Sequence, residues 1–180
     1  GLLYNSDVLL YDHTTQSLWS QILSAAISGP LVGTTLTAVP LTHTTWADWR
    51  RRHPATEVLS TDTGFERDYG RDPYAGYDRV QQLLFDVQHR DGRLPLKEWV
   101  LGLRVNGAAK AYPFSVLERT VDSAGRMTDT LGGQALLIRY DRANRTAEAF
   151  DAQGKALTGT LSFWFAWVAF YPRTDVLRAP

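Results

Sequence analysis

The 180-residue sequence contains no cysteine. That excludes, within these residues, disulfide frameworks, thiolate zinc sites, thiol nucleophiles and iron–sulfur ligation. It also lacks charge of either sign in excess: 19 Lys+Arg stand against 19 Asp+Glu, with a pI near 7.1. The electrostatic footprint of a nucleic-acid binder or of a protein held on an anionic membrane is therefore missing. Long apolar runs are scarce as well. The longest, Phe163 to Tyr171, is nine residues, about half of the roughly 18–20 needed to span a bilayer, so no transmembrane span is expected, although a place at the membrane periphery stays open. The opening Gly-Leu-Leu-Tyr-Asn-Ser-Asp has no basic region and no small-residue cleavage site, and reads as a processed or truncated start. What the sequence does have is aromatic: 12% of the residues, with six Trp and eight Tyr.

Part of that surplus repeats. Thr45–Leu59 (TWADWRRRHPATEVL) aligns without gaps on Phe163–Leu177 (FWFAWVAFYPRTDVL). Six pairs are identical: Trp46/Trp164, Trp49/Trp167, Pro54/Pro172, Thr56/Thr174, Val58/Val176 and Leu59/Leu177. A related glycine-containing stretch precedes each copy, AISGPLVGTTL before the first and the shorter ALTGTL before the second. The first copy reads as a short helix capped by Thr44 or Thr45 and stopped before Pro54, followed by a strand over Thr56–Leu59. Trp46 and Trp49 share one helix face and are expected to cover the core, and Arg50, Arg51 and Arg52 form a wet C-terminal end. The second copy replaces that arginine run with Val168-Ala169-Phe170, which leaves a helix apolar all round. Either the rest of the chain encloses it, or a partner chain or membrane surface does, so Trp164, Phe165, Val168 and Phe170 are candidate interface residues.

The remainder is mostly strand-forming. Asp7–Tyr11 is a strand, Gly33–Leu41 alternates well enough for another, and Gln16–Ile27 is ambiguous. The clearest local signal is a hairpin: Trp99–Val105 and Ala108–Phe114 flank Asn106-Gly107, a type I′ dipeptide. Ser115–Thr120 suits one helical turn, Gln134–Tyr140 a buried strand and Thr146–Phe150 its return. The expected fold is β-rich α+β, a duplicated unit of antiparallel strands with a short Trp-containing helix in each copy. Residues 1–60 hold the later part of copy one, 61–96 an ordered connection with a short element near Val80–Val87, and 97–180 an abridged copy two, together forming one compact domain.

Within the connection, Phe65–Arg79 (FERDYGRDPYAGYDR) is the most suggestive stretch. Arg67, Asp68, Tyr69, Arg71, Asp72, Tyr74 and Tyr77 read either as a recognition loop, because Tyr and Arg supply rigid contact area, or as a long connection pinned by tyrosine packing and Arg–Asp pairs. The acids Asp62, Glu66, Asp68 and Asp72 do not match an EF-hand spacing. His13, His43, His53 and His89 are scattered, with His53 standing where the second copy has Tyr171; His13 and His43 could approach in space. No GxSxG, SxxK or phosphate-binding loop occurs, and no catalytic residue, metal ligand or cofactor is assigned.

The segments GLLYNSDVLLYDHTTQSLWSQ, TWADWRRRHPATEVLSTDTGFERDYGRDPYAGYD, GRLPLKEWVLGLRVNGAAKAYPFSVL and SFWFAWVAFYPRTDVL resemble, in that order, a bacterial family catalogued as a domain of unknown function, number 3179. The family has no established activity, and the resemblance implies an extracytoplasmic (periplasmic or secreted) setting. It also implies a further N-terminal part with a Cys-Pro-x-Cys motif, absent from these residues. Two functions follow as expectations. One is a noncatalytic binding or accessory module, with a protein partner or that N-terminal half as its counterpart. The other is part of a metal- or thiol-dependent enzyme whose reactive residues lie in that half.

Overall fold

Turn chemistry organises the N-terminal sheet. In the computed structural model, which describes residues 2–179, Asn5 and Ser6 both take positive φ, the twist that lets a two-residue turn close a hairpin. They join β1 (Leu3–Tyr4) to β2 (Asp7–Tyr11). The Asp12 carboxylate then accepts from the Thr14 N–H at 2.8 Å and the Thr15 hydroxyl at 2.6 Å, reversing the chain into β3 (Leu18–Ser20) and β4 (Ala25–Ser28). The four strands form an antiparallel sheet in sequence order. Its β2–β3 pair is tied by the buried Ser20 hydroxyl donating to Asp7 at 2.7 Å.

Helix α1 (Trp46–Arg52) starts at Thr45, whose hydroxyl accepts from the Asp48 N–H, and ends at His53. Beyond it residues 53–98 run as a strap with a single 3-10 turn at Tyr77–Arg79. Regular structure resumes with β5 (Trp99–Val105), β6 (Ala108–Pro113), α2 (Phe114–Thr120), β7 (Arg126–Leu131), β8 (Gln134–Asp141), β9 (Thr146–Asp151), β10 (Ala156–Leu157), β11 (Gly159–Phe163), α3 (Trp164–Phe170) and β12 (Asp175–Val176). They make two sheets, ordered β10-β9-β8-β7 and β11-β5-β6-β12, the β12–β6 pair being parallel.

The β5–β6 hairpin is the centre of the molecule. Strand side chains alternate between faces, so Leu101, Leu103 and Val105 enter one core with Tyr112, Leu117, Leu136 and Ile138, while Val100 and Ala111 enter a second with Trp164, Trp167 and Val168. The second face is fitted to α3 by an absence of side chain: a Cβ on Gly102 would lie 2.3–2.5 Å from the Trp167 ring. Trp167 is 1% exposed there.

The Asn106-Gly107 hairpin, α2 and the Gln134 and Thr146 strands stand where the sequence places them. A β-rich chain with short helices is also as expected. Several elements differ. Gly33–Leu41 gives only an isolated bridge, Ala25 with Thr35, and Thr56–Leu59 is not a strand. Ambiguous Gln16–Ile27 resolves into β3 and β4. Val80–Val87 forms no element, the one short turn lying just before it. Helix α1 is turned over relative to expectation: Trp46 is 50% exposed and Asp48 is buried. The reason is electrostatic. Asp48 accepts from the Thr44 hydroxyl at 2.8 Å and pairs with Arg51 and Arg52, and Arg52 reaches Glu148 on β9 at 3.6 Å, so the arginine end is partly drawn inward.

Candidate functional site

Strand β5 begins, strands β6 and β11 end, and helices α2 and α3 start, at the same end of the central sheet. Trp99 opens β5 opposite Phe163, the last residue of β11, and Phe114 follows Pro113 directly into α2. The geometry collects aromatic rings there. Trp99 lies 4.5 Å from Phe163 and 6.4 Å from Phe114 between centroids, and Phe114 meets Tyr140 edge-on at 5.2 Å. Tyr77, from the strap, reaches Phe163 at 6.1 Å, and His43 meets Trp99 at 5.6 Å and 70°. Edge-to-face spacings of this kind are favourable for rings.

The opposite wall is polar and comes from the β8–β9 connection. The Asp141 carboxylate accepts from the Asn144 N–H at 3.1 Å and side-chain amide at 2.8 Å, and the Asn144 side chain, first among its contacts, holds Asp141 below the usual carboxylate range. Asn144 Oδ1 accepts in turn from the Thr45 hydroxyl at 2.6 Å. This bracing presents Arg145 with φ +48°, a left-handed conformation that a non-glycine residue adopts at a cost. Between the walls is a cleft of about 190 Å³ lined by His43, Trp99, Phe114, Asn144 and Arg145 among others. A neighbouring hollow of about 360 Å³ shares Trp99, Phe114 and Arg145 and adds Lys97, Glu98, Glu118 and Arg142. There Arg142 is neutralised by Glu118 at 3.0 Å, whereas Arg145 pairs with no carboxylate among the described residues.

Lys97 closes the strap end of the hollow. Its ammonium donates to the Tyr77 carbonyl at 2.6 Å and the Gln82 carbonyl at 2.9 Å and lies 3.4 Å from the centre of the Tyr77 ring. Burial pushes it below its usual 10.5. The two threonine hydroxyls that line the cleft with His43 are committed elsewhere, Thr44 to Asp48 and Thr45 to Asn144. Among the described residues no three His, Asp or Glu side chains converge as a metal site would require. The cleft thus offers flat apolar faces and one cation, without a nucleophile held against a base.

Of the seven strap residues proposed from sequence, Tyr77 reaches this aromatic array. Arg67, Asp68, Tyr69, Arg71, Asp72 and Tyr74 lie exposed on the strap. It is pinned locally: the Tyr69 hydroxyl bonds Thr63 at 2.7 Å, and the carboxylates of Asp68 and Asp72 accept from the N–H groups of Gly70 and Tyr74. The expected Arg–Asp pairs are not seen among the described residues of this stretch. On α3, the candidate interface residues Trp164, Phe165 and Val168 are enclosed at 0–5% exposure, so the core covers them and they offer no docking face; Phe170 is half-buried against Tyr4 at 5.7 Å. His13 packs on Tyr11 at 5.1 Å, and His43 packs on Trp99. Trp99, Phe114, Asn144 and Arg145 carried a faint signal: Trp99 and Trp19 are the tryptophans left over by the internal repeat, and Asp-x-x-Asn-Arg is a turn that asks a non-glycine residue to take positive φ.

A family model described as a protein of unknown function (DUF3179) matches residues 1–161, a span that includes α1, the strap and the cleft walls and stops before α3. No curated protein and no solved structure matches the chain.

Proposed function

The chain belongs to the DUF3179 family, and on that premise we propose that it is a noncatalytic binding or accessory module of a bacterial extracytoplasmic protein or complex, holding a flat ligand with an anionic group in the Trp99–Arg145 cleft. One observation carries the reading: Arg145, held at an unfavourable φ beside Asn144 and paired with no carboxylate among the described residues, lines the same cleft as the rings of Trp99 and Phe114. Arginine is suited to planar anions, and aromatic faces to flat apolar bodies. Tyr77 of the Tyr/Arg strap meets Phe163 beside this cleft at 6.1 Å, and in this reading Tyr69 and Tyr74 of the same strap supply further contacts to the ligand. The two Trp-helix segments are, in the same reading, copies of one unit.

The probe is 1-anilinonaphthalene-8-sulfonate, whose rings and sulfonate match the two walls. Fluorescence titration of the native protein should saturate, and Arg145→Gln and Trp99→Ala should each weaken binding about ten-fold or more. Unchanged titrations in both variants would sink the assignment. Cell fractionation of the producing bacterium tests the compartment, a purely cytoplasmic protein contradicting it.

A further inference from the structure

The two Trp segments fold alike but are covered differently. Both helices are seven residues long, α1 from Trp46 and α3 from Trp164. Trp49 Nε1 donates to the Thr56 hydroxyl at 3.0 Å, and Trp167 Nε1 donates to the Thr174 hydroxyl at 3.0 Å. The residue ending each helix stacks on its second tryptophan, His53 at 4.0 Å and Tyr171 at 4.2 Å, with φ, ψ of −132°, 71° and −124°, 66°. In the second segment the face carrying Trp164, Trp167 and Val168 is sealed by the β5–β6 hairpin, and the strand that follows, β12, pairs with β6 with Asp175 opposite Lys110. In the first segment the matching face carries Trp46, which is 50% exposed, the half-buried Trp49 and the exposed Arg50, while the opposite face carries Asp48, which is buried, and Arg52, whose guanidinium reaches Glu148. The stretch matching β12, Glu57-Val58, has no strand partner among the described residues, and Val58 is 68% and Leu59 95% exposed.

We propose that this face of α1, with Glu57-Val58 at its edge, is the docking site for a β-hairpin that is not among these 180 residues and is built like β5–β6. The occupant's chemistry follows from the covered segment. Its first strand carries a glycine where Gly102 lies under Trp167, because the Trp49 ring needs bare backbone. Its second strand adds in parallel beside Glu57-Val58, with a basic residue opposite Glu57 as Lys110 stands opposite Asp175, and a small one opposite Val58 as Ala111 stands opposite Val176. Arg50, in the place of the fully buried Val168, calls for a carboxylate on the incoming sheet, since an unpaired buried guanidinium is costly. This surface is separate from the Trp99–Arg145 cleft, and its test does not depend on ligand binding there.

The test uses the chain's own hairpin, residues 97–115, as a head-to-tail cyclised peptide, because an isolated hairpin is only marginally ordered. It is titrated into the ¹⁵N-labelled full chain, and the indole N–H resonances of Trp46, Trp49, Trp164 and Trp167 are followed. Saturable shifts confined to Trp46 and Trp49 are expected. Arg50→Val, which gives the face its covered counterpart's residue, should tighten binding about ten-fold, and Gly102→Val in the peptide should weaken it about ten-fold or more. No saturable shift with either protein would overturn the proposal. So would shifts at Trp164 and Trp167, which mean strand exchange at the covered site, or shifts that grow with protein concentration alone, which mean that a second copy occupies the face.

Discussion

Replacing Gly102 by alanine puts the packing of the central sheet to a quantitative test. The new Cβ would stand 2.3, 2.4 and 2.5 Å from three atoms of the Trp167 ring, where ordinary contact is about 3.5–4.0 Å. The ring must therefore move by about 1 Å or the strand must bend. Neither is easy: Trp167 is 1% exposed, bonded through Nε1 to the Thr174 hydroxyl at 3.0 Å, and stacked on Tyr171 at 4.2 Å. Overpacking of this kind costs about 1–3 kcal/mol, and this site belongs at the upper end. Alanine returns about 0.5–1 kcal/mol by being less flexible than glycine in a strand. The net loss is about 2 kcal/mol, a fall in Tm of about 4–8 °C for a chain of this size. Differential scanning calorimetry measures it, with Gly92→Ala, whose Cβ would meet nothing within 4 Å, as a control expected to stay within about 0.5 kcal/mol. A Gly102→Ala protein as stable as the parent would refute the proposed fit between sheet and helix.

Other outcomes follow from single contacts. Trp167→Phe should cost about 1–3 kcal/mol because it leaves the buried Thr174 hydroxyl without its indole donor and opens space; Trp49→Phe, on the open helix, should cost clearly less, and equal losses by urea denaturation would contradict the difference in cover. Tyr112 donates to Asp129 at 2.7 Å beside Lys110, also at 2.7 Å, and burial raises its hydroxyl well above the ordinary tyrosine value; Tyr112→Phe should lower stability by about 1–2 kcal/mol. Asp48 is held below its ordinary value of 3.8, first by the hydrogen bond from Arg52. A carboxyl depressed on folding stabilises the native state above its unfolded value, and that gain fades as pH falls through the folded value. The Tm gap between the parent and Asp48→Asn should therefore be widest above about pH 5 and close progressively below about pH 4; a gap independent of pH would argue against the ion pair. Arg145→Asn should leave Tm unchanged or slightly higher, because asparagine tolerates positive φ better, while removing binding of the anionic probe.

Legibility in the sequence followed how local the cause was. Asn106-Gly107 fixed a hairpin because both residues take positive φ, 49° and 83°, at little cost. The Gly132-Gly133 turn is the same device, with φ of 56° and 78°, yet the β7–β8 hairpin it closes is hard to read because the consecutive polar Thr128-Asp129-Thr130 break the apolar–polar alternation of β7. The Trp repeat announced two like helices, and their local geometry agrees in detail. What the pattern could not say was which face each helix buries: Arg52, paired with Asp48 on its own helix, also reaches Glu148 on β9, far along the sequence, and that contact holds the Asp48 face of α1 inward. The cleft was the least legible part. Its walls come from residues near positions 43, 99, 114 and 145, brought together by the ends of β5, β8 and β11, and no short motif spans them.

Two like Trp-bearing helices are covered differently, α3 enclosed and α1 open, and per-residue hydrogen exchange of the tryptophan indoles reads this difference directly. Trp164, bonded through Nε1 to the Asp91 carbonyl at 2.9 Å, and Trp167 should exchange only on large-scale unfolding, whereas Trp46 should exchange at close to the rate of free indole and Trp49 at a rate between. Equal strong protection of Trp46 and Trp164 in a monomeric sample would contradict it.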